Sequence, residues 1–352
     1  MTPPLMDSTE RTTALRRLQL RHCQSTVTSA VVVPLLLVSV AFAGCGGARS
    51  APAVEPPFPR QAVIGQLQEF QQDLGVERTG NFQRFSAAQD AVYRCYFTGR
   101  LELPASYDAL QLVEPDDPIC PVDETTYDLF FYPIEAVASG SSPVSPALAG
   151  AALERTLVVV PHEDFHNQPE TGQASFDVAE AAATLVGFVA ARDFARVTYG
   201  GESALFRRLD REVDRFLVKS HIVNGYFQRL NDVYGEYDAG ELTRDEALTR
   251  KAALFADFDR QCRASVPAVS FNTCPAVMNN AGLAFDSTYT RHFPTWFALY
   301  ESLGRDTRAT IAAFRQVLGT GPHSERELIE AAQALPRLTS STDVGLPQFR
   351  DP

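Results

Sequence analysis

The sequence predicts a mainly α fold with a smaller β-containing N-terminal region, α+β in the broad sense. Beyond residue 200, apolar residues repeat at helical spacing, as at Leu205, Leu209, Val213, Phe216 and Leu217. Two aromatic, β-rich segments, CYFTGRLELPASYDALQLV and TTYDLFFYPIEAV, fall between residues 95 and 137, parted by prolines and acidic turn residues. With 45% hydrophobic and 21% charged residues, the 352-residue chain can bury a sizeable core in one large domain or two. Net charge is −12, lysine occurs at Lys219 and Lys251 alone, and no basic stripe follows the N-terminal segment. Nucleic acid is therefore not an expected partner.

Residues 1–45 read as a signal peptide. Arg11, Arg16, Arg17 and Arg21 precede an apolar run over 30–43, the length of a signal-peptide core and short for a membrane span. Phe42-Ala43-Gly44-Cys45 resembles the bacterial lipoprotein box, whose cysteine is lipidated, while Ala41-Phe42-Ala43 also fits ordinary secretory cleavage. Ordinary cleavage leaves five cysteines; lipidation of Cys45 leaves Cys95, Cys120, Cys262 and Cys274, an even set suited to an oxidising compartment. The parity favours a protein exported and anchored to the membrane of the bacterial cell envelope through a lipid on Cys45. Four cysteines allow three pairings; the local choice is Cys95–Cys120 with Cys262–Cys274, and buried free thiols are the alternative.

Residues 46–60, rich in Gly, Pro and Ala, read as a flexible tether. The region 61–150 reads as mixed α/β. Ile64, Leu67 and Phe70 have helical spacing, a break falls at 75–80, strands and loops occupy 95–137, and 138–150 is a loop by composition. The region 151–335 reads as helical. The run Leu157 to Val160 stops at Pro161, which suits the first turn of a short helix over 162–168. Asn167, Pro169 and Gly172 end that helix, and a second spans 176–197. Long amphipathic helices over 202–236 and 242–265 are joined by a turn at 235–240, and further helices cover 275–317. Residues 336–352 read as a flexible tail.

The chemistry centres on HEDFH, residues 162–166. On a helix, His162 and His166 leave one face about 5–6 Å apart and can share one ion. A catalytic zinc takes three protein ligands and keeps one open position, and Glu163 is placed to take a proton from a water there. Glu180 is the best third ligand, because small and apolar residues surround it, where a lone carboxylate is costly without a cation. Its rival role is local: Asp177-x-x-Glu180 has capping-box spacing. Glu170 is a weaker candidate ligand, and Asp177 a candidate partner for a ligating histidine.

These residues carry a resemblance. HEDFHN followed by FDVAEAAATLVGF resembles the predicted bacterial aminopeptidase family of gluzincin type, and LNDVYGEYDAGELTRDEALTRKAALFADFDRQ and MNNAGLAFDSTY resemble its helical hairpin and its Asn-Asn-Ala segment. The similarity covers about 155 to 315. It implies a zincin-like helical metallopeptidase domain with His162, His166 and Glu180 on one Zn2+ ion and Glu163 as catalytic base. The expected activity is hydrolysis of peptide substrates, aminopeptidase-like by inheritance. For the oxyanion donor, Tyr289 is the first candidate and His292 the second, ahead of His221 and Tyr226; Asn279 and Asn280 either orient substrate or cap a turn. Asp164-Phe165 and Val178-Ala179 depart from the family pattern. They motivate the competing reading, an inactive envelope lipoprotein that keeps the fold as a structural or binding element.

Overall fold

Three strands form an antiparallel sheet in the order β2-β1-β3: β1 (Tyr93–Gly99), β2 (Gln111–Val113) and β3 (Tyr127–Pro133). Tyr96 pairs with Leu112 on one side and Phe130 on the other. The structure, a computed structural model, describes residues 60–86, 93–114, 119–133, 136, 138–266 and 274–335. The signal segment with Cys45, the tether through residue 59 and the tail lie outside the described residues, all of which belong to one unit, 55–352.

The rest is mainly helical. In chain order come α1 (Gln61–Asp73), α2 (Pro146–Gly150), α3 (Leu153–His166), α4 (Phe176–Tyr199) and α5 (Ala204–Asp238). They are followed by α6 (Arg244–Ser265), α7 (Asn280–Thr290), α8 (Phe293–Ser302), α9 (Thr307–Leu318) and α10 (Glu325–Ala334). The turn between α5 and α6 passes through Gly240 at φ +75°, and α6 opens on a capping box of Thr243 and Glu246.

Two local expectations are corrected. The segment expected as a loop over 138–150 contains α2, which Ser145 caps by accepting from Leu148 N at 3.0 Å, with Pro146 in the first turn. Pro161 does not open a helix; it lies inside α3, which begins eight residues earlier at Leu153. A proline there forgoes one N–H bond to the carbonyl of Leu157. Burial outweighs that loss and the β-preference of the valines: Leu157 and Val160 are wholly buried.

α4 is the hub. Nearly every residue from Val178 to Ala195 is buried, as a helix apolar on all sides must be. α3, α5, α7, α8 and α9 all pack on it, with Trp296 of α8 against Phe314 of α9 at 4.3 Å. A second cluster fills the α5–α6 hairpin around Tyr226, Leu230 and Phe258, and the sheet lies on α7 through Tyr96, Phe130, Ala281 and Ala284.

Both local cysteine pairs are joined. Cys95 and Cys120 have Cα atoms 5.6 Å apart and Cys262 and Cys274 5.8 Å apart, both ordinary disulfide spacings. Disulfides fit an oxidising, exported compartment. Among the described residues no helix is long and apolar enough to cross a membrane.

Candidate metal centre

The site is built on the antiparallel hairpin of α3 and α4. Thr171 closes the end of α3 by donating to the carbonyls of His166 and Gln168 at 2.6 and 2.7 Å. Arg315 grips Glu170 through two bonds of 3.0 and 2.9 Å, which directs that carboxylate away from the histidines. Gly187 lets the helices approach: a Cβ there would meet Val158 O at 2.7 Å and His162 Cβ at 3.3 Å.

This close packing brings three side chains to one point. His162 Nε2 lies 3.2 Å from His166 Nε2 and 3.2 Å from Glu180 Oε2, and His166 Nε2 lies 3.1 Å from the same oxygen. Two ring nitrogens facing one another at this distance have one proton between them at most while both stay neutral, and the carboxylate brings only lone pairs. Such convergence asks for a cation. Tetrahedral zinc with bonds of about 2.0–2.1 Å separates its ligand atoms by about 3.3–3.4 Å, close to the spacing here. Burial lowers the His166 pKa, but Glu180 and, after it, Glu163 raise it, and the net direction is upward. Burial raises that of Glu180, yet the two imidazoles hold it well below the usual carboxylate range.

The capping alternative for Glu180 is not what the structure contains. Both its oxygens are engaged elsewhere, Oε2 by the histidines and Oε1 by the Tyr107 hydroxyl, which donates at 3.2 Å. Tyr107 sits in a single 3-10 turn (Tyr107–Ala109) between β1 and β2. Its backbone N–H donates to Thr288 Oγ1 at 2.9 Å and its ring stacks on Phe285 at 5.2 Å. No motif marks Tyr107 in the sequence.

Beside the triad lies a cavity of about 330 Å³, to which His162, Glu163, Thr184 and Tyr289 contribute. Burial pushes the Glu163 carboxyl upward in pKa, against the opposing pull of His162 and His166. The Tyr289 ring is 6.2 Å from that of His162, and its hydroxyl has no hydrogen-bond partner among the described residues. Burial raises its pKa far above the ordinary phenol value, so it stays a donor.

Other candidates are placed elsewhere. His292 is clamped between Asp177, 3.1 Å from Nε2, and Glu325 at Nδ1, so both residues tie α10 and the start of α4 to the α7–α8 junction. His221 is exposed on α5, and Tyr226 binds Asp257 and Gln261 of α6. Asn279 caps α7 by accepting from Gly282 N at 2.9 Å, and Asn280 donates to Glu102 O at 2.8 Å and accepts from Tyr234. Of the departing residues, Asp164 faces the N-terminal segment, accepting from Gln68 and Asn81 at 3.1 Å each and from Thr79. Phe165 is fully buried in the core, and the Val178 carbonyl accepts from Trp296 at 3.0 Å.

No family model matches the chain, and neither a curated protein nor a solved structure matches it.

Proposed function

We propose that the chain is a zinc-dependent peptidase with a zincin-like domain of gluzincin type, similar to the predicted bacterial aminopeptidase family. The observation that carries this reading is the triangle of His162, His166 and Glu180, with Glu163 and Tyr289 in the same cavity. One zinc ion would be held by the two imidazoles and by Oε2 of Glu180. Bound zinc supplies Lewis acidity and lowers the pKa of a coordinated water toward about 7.

The chain's own residues do the rest. Glu163 follows His162 directly and accepts the proton of the attacking water, then returns it to the leaving amine. Tyr289 donates its hydroxyl proton in a hydrogen bond to the carbonyl oxygen of the substrate as negative charge develops there. Tyr107 holds the second oxygen of Glu180, leaving the first for the metal. The aromatic walls of the cavity exclude water and seat a peptide. We also assign lipidation to Cys45, which anchors the exported protein to the envelope.

The test is zinc content and peptide hydrolysis of the full chain, beside Glu163→Gln and His166→Ala. The reading expects hydrolysis that Glu163→Gln lowers by about 10²–10⁴ with zinc retained. Stoichiometric zinc without cleavage of a broad peptide library would favour the inactive envelope lipoprotein instead.

A further inference from the structure

Both lysines of the chain are buried against an aspartate, and the two pairs differ. Lys251 of α6 donates to Asp128 and, at 2.8 Å, to Arg100 O, while Asp128 Oδ2 also accepts from Asn280 N at 2.8 Å. That pair is satisfied and fastens α6 and α7 to β3. Lys219 of α5 forms an ion pair with Asp286 Oδ2 of α7 at 3.1 Å, in an orientation poor for a hydrogen bond, and that buried oxygen has no other partner among the described residues. Lys219 is only 5% exposed, and its ammonium offers three N–H groups, with the Phe216 ring 5.5 Å away. Lys219 and Asp286 also line the cavity that borders the triad.

A buried pair with spare donors and an under-used acceptor is an expensive way to hold two helices together. It is well suited to a ligand. The pair is neutral as a whole, and Arg155 and Glu163, which line the same cavity, are of opposite sign, so an entering ammonium or carboxylate meets repulsion from the like-charged member and adds net charge to a space walled largely by aromatic rings. A carboxamide brings an oxygen for Lys219 and N–H for Asp286 without net charge. Asp286 precedes Tyr289 by three residues, about one turn or ~5 Å along α7, which sets the ligand group beside the bond to be cleaved.

We propose that Lys219 and Asp286 form a substrate subsite for an uncharged amide next to the scissile bond, an inference that rests on the peptidase reading. The amide is either the side chain of Gln or Asn or the neighbouring backbone peptide group.

The test uses the zinc-loaded full chain and peptides carrying Gln, Leu, Glu or Lys at each position flanking the cleaved bond, plus an ester-linked counterpart of the neighbouring peptide bond. A side-chain source gives Gln about a tenfold or greater advantage in kcat/KM over the other three; a backbone source gives a similar loss for the ester. Removing one charge unmasks the other: Asp286→Leu turns the preference toward Glu and Lys219→Met toward Lys. The double variant Lys219→Met with Asp286→Leu, which leaves no unpaired buried charge, folds by circular dichroism and loses discrimination. Calorimetric binding of the same peptides to zinc-loaded Glu163→Gln separates the two levels. Absent hydrolysis with discriminating binding counts against the peptidase reading alone. Equal binding of all peptides in every variant, or a wild-type preference for Glu or Lys, overturns the subsite.

Discussion

Substituting Gly187 by alanine tests how the hairpin makes the candidate metal centre. The new Cβ would lie 2.7 Å from Val158 O, 3.2 Å from Val158 Cγ1 and 3.3 Å from His162 Cβ. Ordinary C···O contacts start near ~3.3 Å, so α3 and α4 must part by about 0.6 Å. The carbonyl belongs to a helix and cannot yield alone. Overpacking of this kind costs about 1–3 kcal/mol, and the helix preference of alanine over glycine returns about 0.5–1 kcal/mol, leaving a net loss of about 1 kcal/mol. The effect on metal is larger in proportion, because ligand distances tolerate only about 0.2 Å. Zinc affinity of Gly187→Ala, measured by competition with a chromophoric chelator, is expected to fall at least about tenfold while the melting temperature drops by a few degrees. Unchanged affinity in a folded variant would refute the claim that close approach at Gly187 sets the triangle.

Three further outcomes follow from the same geometry. Tyr107→Phe keeps the ring stack and loses the bond to Glu180; zinc affinity should fall about 10–100-fold with the fold unchanged, and an effect below twofold would remove Tyr107 from the centre. Stability from charged His166 is present below pH 6.5 and lost as pH rises through its raised pKa; that from Glu180 is present above pH 4.5 and lost as pH falls through its lowered one. The metal-free protein should therefore gain most over His166→Ala between pH 4.5 and 6.5, with zinc affinity rising as pH increases; a melting difference independent of pH contradicts this. His292→Gln breaks the clamp between Asp177 and Glu325, so it should lower stability by about 1–3 kcal/mol in denaturant titration and leave zinc affinity within twofold; a lost metal would return His292 to the site.

The helices were legible where glycine, proline and capping residues punctuate apolar periodicity, as at Thr243, Gly240 and Asn279. The triad was legible because four-residue spacing forces His162 and His166 onto one face and Glu180 stands in an apolar stretch that a lone charge avoids. The path of α3 through Pro161 was not, since tertiary burial of Leu157 and Val160 decides it and local preference points the other way. Tyr107 was invisible: it lies 73 residues before Glu180, and only the packing of the sheet against α7 unites them. Asp164 carried an unused signal. Two residues from each histidine, it points to the opposite side of α3, where Gln68, Thr79 and Asn81 donate to it. Gly187 carried another, as a glycine seven residues past Glu180 on the same helical face, where a close helix contact is the usual reason for its presence.

Native mass spectrometry of the full chain, prepared with zinc available and compared with Glu180→Ala, tests the centre most directly. The account predicts one zinc ion per wild-type chain and its loss in Glu180→Ala with helical content intact. A wild-type chain that binds no zinc, or a variant that binds it equally well, would contradict it.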